Sequence, residues 1–378
     1  MNKYDVVFYA YWVHSSHVHK YLALHNRLKE HCNVLTIIAK EHFGITEEEF
    51  KQFNAEDLEG VLHLEMDDAL DKLREVDFKV GIFSSNGRKG WVGEDGDPEP
   101  LGRKDIDIAK EKGAVSIQIS EMITDFYYAG ADVASLVSQE GVDWHLKYGR
   151  HRYQWRPFDA KPQPKYMFSN CLLWDNTEEC LPYKLTREQF CHKYNLDPDK
   201  DFFVWLPDTI INLFRGTSQS DSYRETYEKV CSLDNIVVKL HPHDYKGLHY
   251  FKFDNKHSSE HFAGKDIPVV EPIDTHWCYK YAACGISLQS SVSIEFPMYR
   301  TPFLYVDNGG STMPWKGLFA SLAHHCTSEE LDEFMKDEKY KEEIKGMNSY
   351  YDEKIIFDSN KKALDILTEQ VSQILKST

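Results

Sequence analysis

The sequence alternates between strand-like and helix-like segments along most of its length, and this alternation restricts the fold more than any other feature. In the first half, β-branched or apolar runs typical of strands occupy 4–12, 34–39, 61–64, 78–84, 114–120 and 132–138. Between them, apolar residues at helical spacing predict helices over 17–31, 67–76 and 105–112. Strands joined through helices form parallel sheets with right-handed crossovers. The first half is therefore predicted to be a parallel α/β domain.

A second series of the same kind follows a stretch without periodicity. We interpret 153–182, which is rich in proline and aromatic residues, as a connector. A short helix is predicted over 186–196, and later segments comprise strands at 202–206, 236–240, 267–270, 285–288 and 303–306 and helices at 328–336, 339–347 and 361–375. A chain of 378 residues is long enough for two domains of about 150 to 200 residues each. We predict two Rossmann-like, doubly wound domains over 1–185 and 186–360, facing each other across a cleft, with a helix at 361–378 returning to the first.

The charge balance argues against one class of partner. The chain has 44 basic and 61 acidic side chains and a net charge of −17, which repels nucleic acid. One basic patch, at 147–152 with Arg156 following, fits either a solvated connector or a contact with a membrane surface or an anionic acceptor. We therefore expect no nucleic-acid partner and leave peripheral membrane contact open.

Other features of the sequence indicate a cytoplasmic protein. No run of 18 apolar residues predicts a membrane span, and the first residues begin a strand rather than a signal peptide. The eight cysteines are scattered without a Cys-x-x-Cys pair, which is typical of reduced thiols. We expect neither a disulfide framework nor a metal site.

Two motifs in the second half combine features of anion-binding sites. The run VVKLHPHD at 237–244 ends a β-branched strand in a turn with a lysine and two histidines, and proline stops the strand there. The run SLQSSVSIE at 287–295 places hydroxyl residues before an apolar helical start, where backbone N–H groups hold phosphate. Because each motif follows a strand of the same α/β unit, the pair predicts a site for a nucleotide-diphosphate donor.

These motifs carry a resemblance to a known superfamily. The residues at 239–243, 281–296 and 301–305 resemble the donor domain of GT-B glycosyltransferases, with the greatest likeness to the branch of capsular-polysaccharide synthesis and teichoic-acid polymerases. The likeness covers roughly 200–310 and is weaker in the first half, at 84–87 and Glu121. Gln289 stands where the teichoic-acid branch has Asp-Tyr, which argues against a cytidine-nucleotide donor.

The resemblance implies roles for individual residues of the second half. His241 or His243 would contact the donor diphosphate, Ser290 and Ser291 would bind phosphate, and Glu295 would bind ribose hydroxyls or orient its loop. The full implied donor-binding set is Thr209, Arg215, Lys239, His241, His243, Gln289, Ser290, Ser291 and Glu295. The same residue types also fit structural roles, such as a strand end, an N-cap and a partner of the first helical turn.

Three residues of the first half are candidates for the catalytic base. His14 lies in a histidine-rich turn after the first strand, and a histidine with a pKa near neutrality suits proton transfer from a hydroxyl. Glu121 and Asp125 follow a later strand, and carboxylates are common bases in sugar transfer. Helix capping and plain surface positions are the alternative interpretations for all three.

The leading hypothesis is an inverting, metal-independent glycosyltransferase of polysaccharide or capsule biosynthesis. Its partners would be a nucleotide-sugar donor and a glycan or lipid-linked glycan acceptor, with no cofactor. The first domain would then serve the acceptor and the second the donor. Three alternatives stay open: a CDP-alcohol phosphotransferase of the teichoic-acid type, a UDP-sugar 2-epimerase, and a non-catalytic protein that binds nucleotides or carbohydrates.

Overall fold

The protein forms two compact units, each built on a parallel sheet. The computed structural model describes residues 3–11, 13–40, 44–84, 104–120, 130–140, 142–143, 164–207, 225–226, 228–240, 267–287, 295–306, 324–336, 340–341 and 351–378. Unit 1 comprises Met1–Pro182 and Asp352–Thr378, and unit 2 comprises Tyr183–Tyr351. Helices alternate with strands in both units. The α/β fold class predicted from the sequence is confirmed.

Within the described part of the chain, the sheet of unit 1 has seven strands. They are β1 (Lys3–Tyr11), β2 (Val34–Lys40), β3 (Val61–Glu65), β4 (Asp77–Ser84), β5 (Val115–Ile119), β6 (Val133–Leu136) and β7 (Lys165–Phe168). Their order is β3-β2-β1-β4-β5-β6-β7, and all pairings are parallel. The helices between them are α1 (Val18–Lys29), α2 (Glu47–Gln52), α3 (Met66–Glu75) and α4 (Lys104–Glu111). The strand order reverses between β1 and β4, so these strands flank the topological switch point where α/β sheets bind ligands.

Strand β7 corrects the prediction for the connector. The sequence predicted no regular structure over 153–182, but Lys165–Phe168 pairs in parallel with β6, with Tyr166 opposite Ala134. Three of its four side chains are only half-buried. A strand this short spans too few residues for a clear period, and the prolines before it mask the signal.

The sheet of unit 2 has five strands among the described residues. They are β8 (Phe203–Leu206), β9 (Ile236–Val238), β10 (Cys284–Ser287), β11 (Phe303–Val306) and β12 (His324–Cys326), in the parallel order β12-β11-β10-β8-β9. The predicted strand at 267–270 contributes one parallel bridge beside β9, from Val269 to Val238. Helices α5 (Arg187–Lys193), α6 (Thr275–Tyr281) and α7 (Ser328–Lys336) accompany the sheet. Most of the helix predicted at 339–347 lies outside the described residues.

The C-terminal helix α8 (Ala363–Ser377) belongs to unit 1. Asp175 caps its start, because its two carboxylate oxygens accept the backbone N–H groups of Ala363 and Leu364, each at 2.8 Å. The Asn170 amide donates to the carbonyl oxygens of Asp358 and Lys361, at 2.9 and 3.0 Å. The segment around 170–175 therefore binds the returning chain through side-chain-to-backbone hydrogen bonds.

We expect Asp175 to make the stability of the protein depend on pH. Burial raises the pKa of its carboxyl group to about 6, and the two backbone N–H donors oppose this shift only in part. The folded state therefore binds the proton more tightly than the unfolded state does. Its contribution to stability is fully present below the ordinary carboxyl pKa near 4 and is lost as the pH rises through about 6.

Chemical denaturation between pH 4 and pH 7 tests this expectation against the Asp175→Asn variant. The asparagine carbonyl still accepts one backbone N–H but has no titrating proton. We expect the free energy of unfolding of the wild type to fall relative to that of the variant as the pH rises from 4 to 6. A constant difference across this range would contradict the raised pKa.

Candidate functional site

Three strands of unit 2 end side by side at the carboxyl edge of its sheet. Strand β8 lies between β9 and β10, and the chain order reverses between β8 and β10. The Ser287 hydroxyl at the end of β10 donates to the Leu206 carbonyl at the end of β8, at 2.8 Å. The Lys239 backbone N–H donates to the Trp205 carbonyl of β8, at 2.9 Å. This edge is the topological switch point of unit 2, the position at which open α/β sheets bind ligands.

Most of the predicted donor-binding residues follow these three strand ends in sequence. Thr209 and Arg215 come after β8, His241 and His243 come after β9, and the third group, which comprises Gln289, Ser290 and Ser291, comes after β10. These seven residues lie outside the described part of the chain, so their roles stay predictions. The described strands bring the points at which these three segments begin to one edge of the sheet.

Lys239 is one of the two predicted donor-binding residues that the structure describes. Its side chain is buried, with 8% of the residue exposed. Burial lowers the pKa of its ammonium group, and the negative charge of Glu295 opposes this shift. An ammonium group in the interior needs a nearby negative charge. The opposite charge of Glu295 makes it the candidate charge partner for Lys239.

Glu295 is the other described residue of the set, and packing of its neighbour Phe296 determines its place. Phe296 is fully buried, and its ring centroid lies 4.5 Å from that of Tyr279 and 4.9 Å from that of Phe303. A Cβ atom at Gly285 of β10 would come within 2.5 Å of the Phe296 ring. Glycine at this position therefore allows Phe296, and with it the segment that contains Glu295, to pack against β10.

In unit 1, the turn after β1 carries the predicted base His14. The His14 carbonyl accepts the backbone N–H of His17 at 2.8 Å, and α1 begins at Val18. The rings of His14 and His17 lie 6.3 Å apart, and His14 is half-buried. Because β1 borders the switch point of its sheet, this turn lies where a ligand of unit 1 is expected.

Glu121 and Asp125, the other candidate bases, lie outside the described residues. The strand before them, β5, is separated from β1 by β4 alone. Two strand spacings correspond to about 10 Å. The segment that carries both carboxylates therefore begins at the same edge of the sheet as the His14 turn. The basic patch at 147–152 also lies outside the described residues.

The sequence interpretation missed Thr46 and Glu49, which belong to the hydrogen bonds that hold the His14 turn. The Ser15 hydroxyl donates to Glu49 Oε1 at 2.8 Å, and the backbone N–H of Thr46 donates to Glu49 Oε2 at 2.8 Å. Thr46 and Glu49 form a capping box at the start of α2, a helix that was not predicted. The Thr-x-x-Glu spacing at 46–49 is a recognised helix-start signal and would have located it.

Among the residues that the structure describes, no three His, Cys, Asp or Glu side chains cluster in a way that could hold a metal ion. Within the same described ranges, no helix has both the length and the apolar character needed to cross a membrane.

Comparison with known proteins gives similar structures at low sequence identity. No protein-family model matches the chain, and no curated protein matches it significantly. Among solved structures, UDP-GlcNAc 2-epimerase from Neisseria meningitidis bound to UDP-GlcNAc is similar, with a TM-score of 0.64 and 10% identity. That match covers 97% of this chain and 100% of the epimerase.

Two further structures illustrate the range of similar proteins. S. aureus MnaA in a co-structure with UDP has a TM-score of 0.59 and 10% identity over 100% of this chain and 98% of its own. A histidine-to-alanine variant of the wall teichoic acid polymerase TagF has a TM-score of 0.57 and 11% identity, over 99% and 89%. At sequence identities this low, the structural similarity shows a shared fold and nothing more specific.

Proposed function

Because this chain has the GT-B fold, we propose that it binds a nucleotide-activated sugar through unit 2 and transfers the sugar to a hydroxyl acceptor. The observation that supports this most is the arrangement of β9, β8 and β10, whose ends lie side by side at the switch point. The segments with the predicted phosphate-binding residues follow these strand ends in sequence. Structures of the same fold contain UDP or UDP-GlcNAc, which fits a nucleotide site in this family of folds.

The proposed reaction is a single displacement at the anomeric carbon. The acceptor oxygen bonds to that carbon while the bond to the nucleoside diphosphate breaks, and the diphosphate leaves with the electron pair. The acceptor proton passes to the base, for which His14, Glu121 and Asp125 are the candidates. His241 or His243 and the N–H groups around Ser290 and Ser291 would stabilise the charge that develops on the leaving group.

In this mechanism Lys239 has a positioning role, because its side chain is buried. Its buried ammonium group lies at the end of β9, and Glu295, which carries the opposite charge, follows residues 288–294 in sequence. A charge pair between them would fix the relative position of two segments that carry predicted donor-binding residues. No metal is required by this mechanism, since imidazolium and N–H donors supply the compensation for the diphosphate charge.

Epimerisation of a UDP-sugar at C2 is the second candidate. The observation in its favour is full-length similarity, since the match to the Neisseria epimerase covers 97% of this chain and 100% of that one. A phosphotransferase of the teichoic-acid type is the third candidate. TagF structures, one of them soaked with CDPG, are among the similar structures. A non-catalytic protein would bind nucleotide without turnover.

A thermal-shift panel of UDP-, GDP-, CMP-, CDP- and dTDP-compounds identifies the donor class. A ligand at 100 times its dissociation constant adds about 2.7 kcal/mol of stability. The compound that binds is then incubated with the protein, and its products distinguish the three candidate activities. Release of nucleoside diphosphate that increases with added glycan acceptor supports transfer, a C2 epimer supports epimerisation, and release of CMP supports alcohol phosphotransfer. Absence of stabilisation by every compound would overturn the proposal.

We expect His241→Ala, and separately the double change Ser290→Ala with Ser291→Ala, to weaken nucleotide binding. Loss of a hydrogen bond to a charged group costs about 1.5–3 kcal/mol, which corresponds to roughly 10- to 150-fold in dissociation constant. Titration calorimetry with the nucleotide found above measures this. His192→Ala, which changes an exposed histidine on α5, is the matched control and should bind normally. Tight binding by both test variants would place the donor site elsewhere.

A further inference from the structure

We propose that Glu49 of α2 is a positioning residue, which holds the His14 turn in its catalytic place through Ser15. The inference rests on the proposed function, in which His14 is a candidate base. Glu49 itself is assigned no contact with substrate.

The first contact that supports it lies directly after His14. The Ser15 side chain is buried, with 3% of the residue exposed, and its hydroxyl donates to Glu49 Oε1 at 2.8 Å. A buried hydroxyl that lost this acceptor would leave a polar group without compensation, which costs about 1–3 kcal/mol. The structure therefore keeps Ser15 on Glu49, and the backbone of the adjacent His14 is restrained with it.

The second contact lies directly before His14. The Val13 carbonyl accepts the backbone N–H of Ile45 at 2.7 Å, and Val13 is fully buried. Both neighbours of His14 are thus bound to the segment at 45–49. A residue held on each side has little freedom to shift its backbone.

The carboxylate of Glu49 is itself oriented by its own helix. Its Oε2 accepts the Thr46 N–H at 2.8 Å, while the Glu49 N–H donates to Thr46 Oγ1 at 3.2 Å. This capping box leaves Oε1 directed at Ser15. One side chain therefore joins the start of α2 to the turn after β1.

Helix α5 in unit 2 provides an internal comparison. Thr186 and Gln189 form a capping box with the same bond lengths, 2.8 and 3.2 Å. Gln189 is exposed, whereas Glu49 is half-buried against Ser15. Substitution of Glu49 or Gln189 by alanine removes one bond of its capping box, the one that its side chain accepts from the threonine N–H, and leaves the bond that its own backbone N–H donates. Only the change at Glu49 also removes the Ser15 contact.

The contact matters for catalysis because proton transfer needs close geometry. A base must lie within hydrogen-bond reach of the proton that it removes. A displacement of about 1 Å can cost about 100-fold in rate. Loosening the His14 turn should therefore lower kcat, whereas the KM for the donor, whose predicted ligands lie in unit 2, should change little.

The test compares four variants of the full chain. Ser15→Ala removes the contact and leaves the capping box, and Glu49→Ala removes the contact together with the side-chain bond of the capping box. Glu49→Gln retains an acceptor for Thr46 and an amide that can donate to the Ser15 hydroxyl, so it should rescue. Gln189→Ala reproduces the loss of that side-chain capping bond. The readouts are kcat and KM for nucleotide release from UDP-GlcNAc, or from the donor that binds in the thermal-shift panel, and NMR exchange of the His17 amide, which is bonded to the His14 carbonyl.

We expect Ser15→Ala and Glu49→Ala to lower kcat at least 10-fold with KM within 2-fold, and to speed exchange of the His17 amide at least 10-fold. Glu49→Gln and Gln189→Ala should stay near the wild type in both measurements. Unchanged exchange in the first two variants, or unchanged kcat in an active enzyme, would overturn the positioning role. A wild type that turns over no nucleotide donor would overturn the proposed activity instead, and the exchange measurement would still decide whether Glu49 holds the turn.

Discussion

Replacement of Asp274 by alanine is expected to lower the free energy of unfolding by about 3–5 kcal/mol, the usual cost when one partner of a buried charged network is removed. Asp274 is completely buried. Its carboxylate accepts three donors: the hydroxyl of Tyr183 at 2.6 Å, the hydroxyl of Tyr194 at 2.5 Å and the ammonium group of Lys193 at 2.6 Å.

The tyrosines remain donors at neutral pH. Burial, together with the bond to Asp274, raises the pKa of both hydroxyl groups above the ordinary value. The alanine variant would therefore leave two hydroxyl groups and the ammonium group of the exposed Lys193 without their shared acceptor. These groups come from the segment around α5, and Asp274 immediately precedes α6. The loss should loosen the contact between these two parts of unit 2.

Urea denaturation of the full chain measures the effect, with Glu271→Ala as the matched control. Glu271 binds the same lysine at 2.7 Å, but its side chain is 49% exposed. Exposed ion pairs contribute at most about 1 kcal/mol. A cost for Asp274→Ala no larger than that of the control would refute a stabilising role for the buried network.

Replacement of the catalytic base is expected to lower turnover by about 10²–10⁴-fold and to leave nucleotide affinity nearly unchanged. The reason is that a base acts on the acceptor proton in the transition state and contributes nothing to binding of the donor. His14→Ala, Glu121→Gln and Asp125→Asn are the three variants to compare. We expect one of them to show this separation of kcat from affinity.

The matched control for the base experiment is His31→Ala, which changes a histidine that follows α1 and whose side chain is 50% exposed. This variant should leave both turnover and nucleotide affinity at the wild-type level. Full transfer activity in all three test variants would refute the assignment of the base, while the fold would be unaffected. Loss of nucleotide affinity together with activity would instead indicate a contact with the donor.

Local periodicity predicted most of the fold. The predicted strands at 34–39 and 78–84 correspond to β2 and β4, which are almost continuous buried runs. Such runs are typical of parallel sheets covered on both faces, and they remain visible in sequence because most of their positions are apolar. The GT-B resemblance drawn from 239–243 and 281–296 is likewise confirmed by the structural neighbours at the level of the fold.

Short elements escaped prediction for a physical reason. Strand β12 has three residues, β7 has four, and α2 has six. Elements of this length complete too few periods for a pattern, and they are visible in sequence where they are apolar and buried throughout, as β9 and β11 are. Pairing with a neighbouring strand or a cap stabilises β7, β12 and α2 instead. Of the three, only α2 carries a strong local signal, the capping box of Thr46 and Glu49.

The sequence by itself determined that the chain builds parallel sheets and which residues follow the strands, because these properties depend on local periodicity and turn chemistry. Only the tertiary structure decided that β8 lies between β9 and β10, that Lys239 is buried near the charge of Glu295, and that Glu49 binds Ser15. Each of these contacts joins residues distant in sequence, and such pairing is chosen by the packing of whole elements, which no local pattern records.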